Sequence, residues 1–97
     1  MITKNYQFID TIMLGDVLMK INEAMGIRIN KICNEKNISV NKLASICCLT
    51  QSTVQHLADG RSKNPKTLTI VRICDGLGIR LQDFYNDKIF DNIDRED

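Results

Sequence analysis

The stretch SVNKLASICCLTQSTVQHLADG, residues 39–60, concentrates short hydrogen-bonding side chains: Gln51, Ser52, Thr53, Gln55 and His56. Each can donate and accept, and a glutamine amide matches the N6 and N7 edge of adenine. On one helix, this set suits base edges in a major groove. It suits catalysis poorly. His56 is the sole histidine, and no paired carboxylate or nucleophile accompanies it, so an enzyme has no acid–base pair to build on.

The apolar residues nearby indicate which elements must position that set. Val40, Leu43, Ala44 and Cys47 recur at i, i+3, i+4 and i+7, one face of a helix over residues 40–47. Leu49 follows at a turn. Val54, Leu57 and Ala58 mark the inner face of a second helix over residues 51–58. Helices this short bury their inner faces only by packing steeply against other helices. The outer face of the second then stays free for a partner.

The rest of the chain supplies those other helices. Met25, Ile29, Ile32 and Cys33 line one over residues 22–36, ended by Asn37. Ser39 and Thr50 are N-caps for the two short helices, and Asp59-Gly60 closes the second. A basic loop leads to Pro65, the only proline. A fourth helix over residues 66–77 buries Ile70, Ile73, Cys74 and Leu77 and stops at Gly78. A fifth over residues 81–86 buries Leu81 and Phe84. Residues 1–21 read as an extra helix, a strand or a disordered extension. Residues 22–87 form the domain, and residues 88–97 an acidic tail.

Ninety-seven residues with 43% hydrophobic content support one small core. The apolar runs are too short to cross a bilayer. No basic start precedes a continuous apolar region, so a cytoplasmic protein is expected. The net charge of +1 hides a gradient: residues 20–88 carry eleven Lys/Arg against six Asp/Glu, and residues 89–97 are acidic. A basic body suits a polyanion. Cys33, Cys47, Cys48 and Cys74 form no C-x-x-C pair. Free thiols are expected, three of them on inner helix faces, with no metal and no cofactor.

In order along the chain, these features resemble the Cro/C1-type (XRE-type) helix-turn-helix family over residues 27–87. Leu43, Cys47, Leu49, Val54 and Leu57 match its apolar sites, and Ala44 the small site where the helices cross. Gly60 and the loop GRSKNP follow as in the family, and ICDGLGIRLQDFY resembles its closing helices. The resemblance implies an all-α, five-helix, lambda-repressor-like fold and a transcriptional regulator, a repressor, bound to double-stranded DNA as a homodimer. It implies base contacts from Gln51, Ser52, Gln55 and His56. Phosphate contacts fall to Ser39, Lys42, Thr50, Thr53, Arg61 and Lys63. The alternative is a protein-interaction module on the same fold, such as an antitoxin or a phage-type partner-binding protein.

Three positions depart from the family pattern. Cys48 stands where the turn usually carries glycine, a residue suited to positive φ. Cys33 and Ala58 replace a frequent arginine–glutamate pair, so an apolar contact takes the place of a buried ion pair. Val40 replaces a glutamine that often clamps a phosphate. Beyond the five helices, apolar residues remain at both ends: Phe8, Ile9, Ile12, Met13, Leu14, Val17 and Leu18 at one, Ile89, Phe90 and Ile93 at the other. One or both sets are expected to cover Leu68 and Val71 on the fourth helix, within one chain or across a dimer.

Overall fold

The computed structural model describes residues 18–95. Five α-helices occur there: α1 Ile21–Lys36, α2 Val40–Ile46, α3 Gln51–Ala58, α4 Thr67–Leu77 and α5 Leu81–Tyr85, followed by a 3₁₀ turn Lys88–Phe90. The all-α, five-helix expectation holds, with helix ends within about one residue of those read from sequence.

Local chemistry sets most of these ends. Ser39 Oγ accepts from the Lys42 amide at 3.0 Å, and Thr50 Oγ1 from the Thr53 amide at 3.2 Å. Asn37 ends α1 at φ 56°, and the Ile38 amide returns to the Cys33 carbonyl at 3.0 Å. Gly78 ends α4 in the same left-handed region, and the Ile79 amide returns to Cys74. The turn after α2 repeats this bond without glycine. Cys48 sits at φ 58°, and the Leu49 amide reaches the Ala44 carbonyl at 3.0 Å. Cysteine in that region costs about 1–2 kcal/mol, while glycine loses about 0.4–1 kcal/mol more chain entropy on folding. Cys48→Gly is therefore expected to be neutral or stabilising by up to about 1 kcal/mol, read as an unchanged or higher urea midpoint.

The core lies where α1, α2, α3 and α4 converge, closed by Phe84 from α5. Phe84, Ile29, Leu43, Ile70, Ile73 and Val54 are its largest fully buried side chains. Each contributes about 1.5–3 kcal/mol by leaving water. Two close backbone approaches had no signal in the helical pattern. A Cβ on Gly26 of α1 would stand 2.9 Å from the Ala58 carbonyl oxygen of α3, and one on Gly76 of α4 would stand 2.6 Å from Cys47 Sγ. Cys33 and Ala58 are members of this one apolar cluster, as their joint departure from the charged pattern implies. Leu81 corrects an expectation. It is 37% exposed, because a helix of five residues has one inward position to fill and Phe84 fills it.

Cys33, Cys47 and Cys74 are buried and Cys48 is exposed. Burial pushes the three buried thiols above the ordinary cysteine range, which leaves little thiolate to react. In the folded protein, iodoacetamide is expected to add once, at Cys48, and at all four thiols after unfolding. Peptide mass spectrometry checks the sites. Rapid labelling of Cys47 in the native state would contradict this packing.

The described chain ends meet on α1. Met19 forms an isolated parallel bridge with Ile93: its amide donates to Asn92 O at 3.0 Å, and the Asp94 amide donates to Met19 O at 2.9 Å. Met19, Ala24, Ile27 and Ile89 form a second buried cluster, with Phe90 and Ile93 packed against it. Lys20 and Asp94 add an ion pair at 3.1 Å. The C-terminal apolar set thus covers α1 rather than α4, and Leu68 remains 57% exposed. The expected cover from Phe8, Ile9, Ile12, Met13, Leu14 and Val17 lies outside the described residues.

A charged cluster fixes α5 against α1. Arg28 donates to the Phe84 carbonyl at 2.7 Å and the Asp83 carbonyl at 2.9 Å, and its third arm meets Asp87 at 3.2 Å. Lys31 reaches the same Asp87 oxygen at 3.0 Å. A cation on the last carbonyls of a helix complements its dipole. Two of the basic residues counted in the body are thus engaged within the fold.

Candidate nucleic-acid interface

The candidate surface begins with the way α3 is held. Val54 is 0% exposed, and Leu57 and Ala58 are 3% exposed. With that face buried, helical geometry sends Gln51, Gln55 and Asp59 along one outward stripe and Ser52 and His56 along the next. Gln51, Ser52 and His56 are exposed, and Gln55 is partly so. The four base-contact candidates therefore share one outer surface.

Their hydrogen bonding differs. Gln51 and His56 make no side-chain hydrogen bond among the described residues. Ser52 Oγ lies 3.4 Å from Thr50 Oγ1, which in turn lies 2.7 Å from Thr53 Oγ1. These three hydroxyls form a short chain at the start of α3. Ser39 and Thr50 each spend an oxygen lone pair on capping; the Ser39 hydroxyl proton still has to find an acceptor, whereas that of Thr50 has Thr53 Oγ1 within reach. Gln55 Nε2 donates to Asp59 Oδ1 at 2.8 Å.

The cations also separate into two kinds. Lys42 and Lys63 are exposed and carry no ion pair among the described residues. Arg61 is exposed too, but its Nη2 bonds Asp59 Oδ2 at 2.9 Å. Between α3 and the following loop lies a cleft of about 360 Å³, lined by Thr53, His56, Leu57, Ser62, Asn64, Pro65, Lys66 and Thr69. Thr53 and His56 thus join a polar concavity that continues into the basic loop.

Sequence reasoning missed Asp59 as a partner of both Gln55 and Arg61, and it missed Lys66 at the cleft. The first had a signal, since Gln55 and Asp59 stand at i and i+4 on one helix. The second had none, because it is the path of the loop that brings Lys66 to the cleft His56 also lines.

A buried-faced helix that presents a polar row after a tight turn from a capped partner helix defines a helix-turn-helix unit. Residues 28–88 match the Cro/C1-type HTH DNA-binding domain family, and the chain belongs to that family. No curated protein and no solved structure matches the chain. Among the described residues no helix is long and apolar enough to cross a membrane.

Proposed function

We propose that this protein is a cytoplasmic, sequence-specific regulator of transcription, a repressor, that binds double-stranded DNA as a homodimer with α3 in the major groove. One observation carries the reading. Gln51, Ser52 and His56 stand exposed on a helix whose opposite face is pinned in the core. Membership of a DNA-binding family supports the same partner.

Gln51, Ser52, Gln55 and His56 are assigned to base edges. Ser39, Lys42, Thr50, Thr53, Arg61 and Lys63 are assigned to phosphates, which set register without reading sequence. Two copies related by a twofold axis would address an inverted repeat with half-sites about one helical turn apart. No catalytic role is assigned to any residue.

The test is selection from a random duplex library with the purified full chain at moderate salt. Enrichment of an inverted repeat is the expected result. Binding with no sequence enriched over random DNA would sink the regulator reading, and no binding to DNA at all would leave a protein-interaction module on the same fold. Sedimentation of the free and DNA-bound chain measures the homodimer.

A further inference from the structure

We propose that Asp59 sets both the strength and the selectivity of DNA binding, by restraining Arg61 through its charge and orienting Gln55 through its acceptor oxygen. This deepens the DNA-binding reading above and rests on it. Asp59 closes the outward stripe that begins at Gln51 and passes through Gln55. Its two carboxylate oxygens are divided between two assigned contacts: Oδ1 accepts from Gln55 Nε2 at 2.8 Å, and Oδ2 accepts from Arg61 Nη2 at 2.9 Å.

Fold stability does not account for this carboxylate. Asp59 occupies the C-cap position of α3, where the helix dipole disfavours an anion. The side chains of Arg61 and Asp59 are 60% and 36% exposed, and ion pairs that wet add little to folding. The consequences for a polyanion are larger. Arg61 must exchange a carboxylate for a phosphate, so its net gain on any duplex is reduced. Gln55 has one amide hydrogen engaged, which restricts the orientations open to its carbonyl and remaining N–H. A contact oriented before binding loses less entropy when it forms. The carboxylate charge thus weakens grip on all DNA, and the acceptor oxygen favours the matching sequence.

Two substitutions separate these roles. Asp59→Asn keeps an oxygen for Gln55 and removes the charge. Asp59→Ala removes both. Fluorescence anisotropy would compare the full-length wild type and both variants on the library-selected duplex and on a scrambled duplex of equal length, between roughly 50 and 200 mM salt. Both variants should bind the scrambled duplex more tightly, by up to about fivefold. The slope of log K against log salt should steepen by up to about 0.9, the limit for a phosphate contact that Arg61 makes only in part while Asp59 competes for it. Asp59→Asn should preserve the ratio of selected to scrambled affinity, and Asp59→Ala should lower it about fivefold, the weight of a modest base contact. In an Arg61→Ala background, Asp59→Asn should bring no gain.

Unchanged scrambled-duplex affinity and slope in Asp59→Asn would overturn the role in restraining Arg61. So would a gain that survives removal of Arg61, since Asp59 would then merely repel phosphate. An unchanged ratio in Asp59→Ala would overturn the role in orienting Gln55. A wild type that binds without selecting any sequence would remove selectivity while the salt slopes still decide the restraint on Arg61. A wild type that binds neither duplex would end both this inference and the DNA-binding reading.

Discussion

Asp87→Ala is expected to destabilise the fold by about 3 kcal/mol or more, the effect of removing one member of a buried ion pair. The Asp87 side chain is 7% exposed and that of Arg28 is 11% exposed. Every polar atom of the carboxylate is used. Oδ2 meets Arg28 and Lys31, and Oδ1 accepts from the Ile89 amide at 2.9 Å. Truncation leaves the Arg28 guanidinium with two carbonyls and no anion, and it frees the turn that seats Ile89 over α1. Urea unfolding with an unchanged m-value measures the loss, and a wild-type midpoint would show that the cluster contributes nothing.

Acid should produce a graded version of the same loss. Burial raises the Asp87 carboxyl, but the Ile89 amide, the Lys31 hydrogen bond and the charges of Lys31 and Arg28 outweigh it and hold the group below the usual carboxylate range. A folded value lower than the unfolded one means that the unfolded chain takes up the proton first. The contribution is therefore complete above the unfolded value of about 3.9 and is lost as pH falls through the folded value. Asp87→Ala should flatten the acid limb of stability against pH.

What could be read from sequence follows the range of the forces involved. Ser39, Thr50, Asn37 and Gly78 act on backbone groups within a few residues, so they punctuate the helices legibly. Cys48 was legible through the family resemblance instead: it stands where the turn usually carries glycine, and φ 58° is what it adopts. The outer face of α3 could be read because periodicity assigned its inner face. Arg28 and Asp87 lie 59 residues apart, and no local pattern joins them. The apolar character of Met19, Ile89 and Ile93 was visible, but their common seat on α1 depends on how the chain ends cross. Leu81 was misplaced because a single helical turn is too short for periodicity to define a face.

The largest functional effect is expected at Gln51. It is the first residue of α3, exposed and free of side-chain hydrogen bonds among the described residues. Its amide is therefore available in full, unlike that of Gln55, and its removal leaves no buried group unsatisfied. Gln51→Ala should change folding stability by less than about 0.5 kcal/mol. On the selected duplex it should lose about 1–3 kcal/mol, the discrimination of one bidentate base contact, and on the scrambled duplex little. Lys63→Ala provides the contrast. It should weaken both duplexes and reduce the salt slope by about one. Arg61→Ala should do the same more weakly, because Asp59 already holds the guanidinium. Equal loss on both duplexes from Gln51→Ala would make Gln51 a phosphate contact, and base reading would then fall to Ser52, Gln55 and His56.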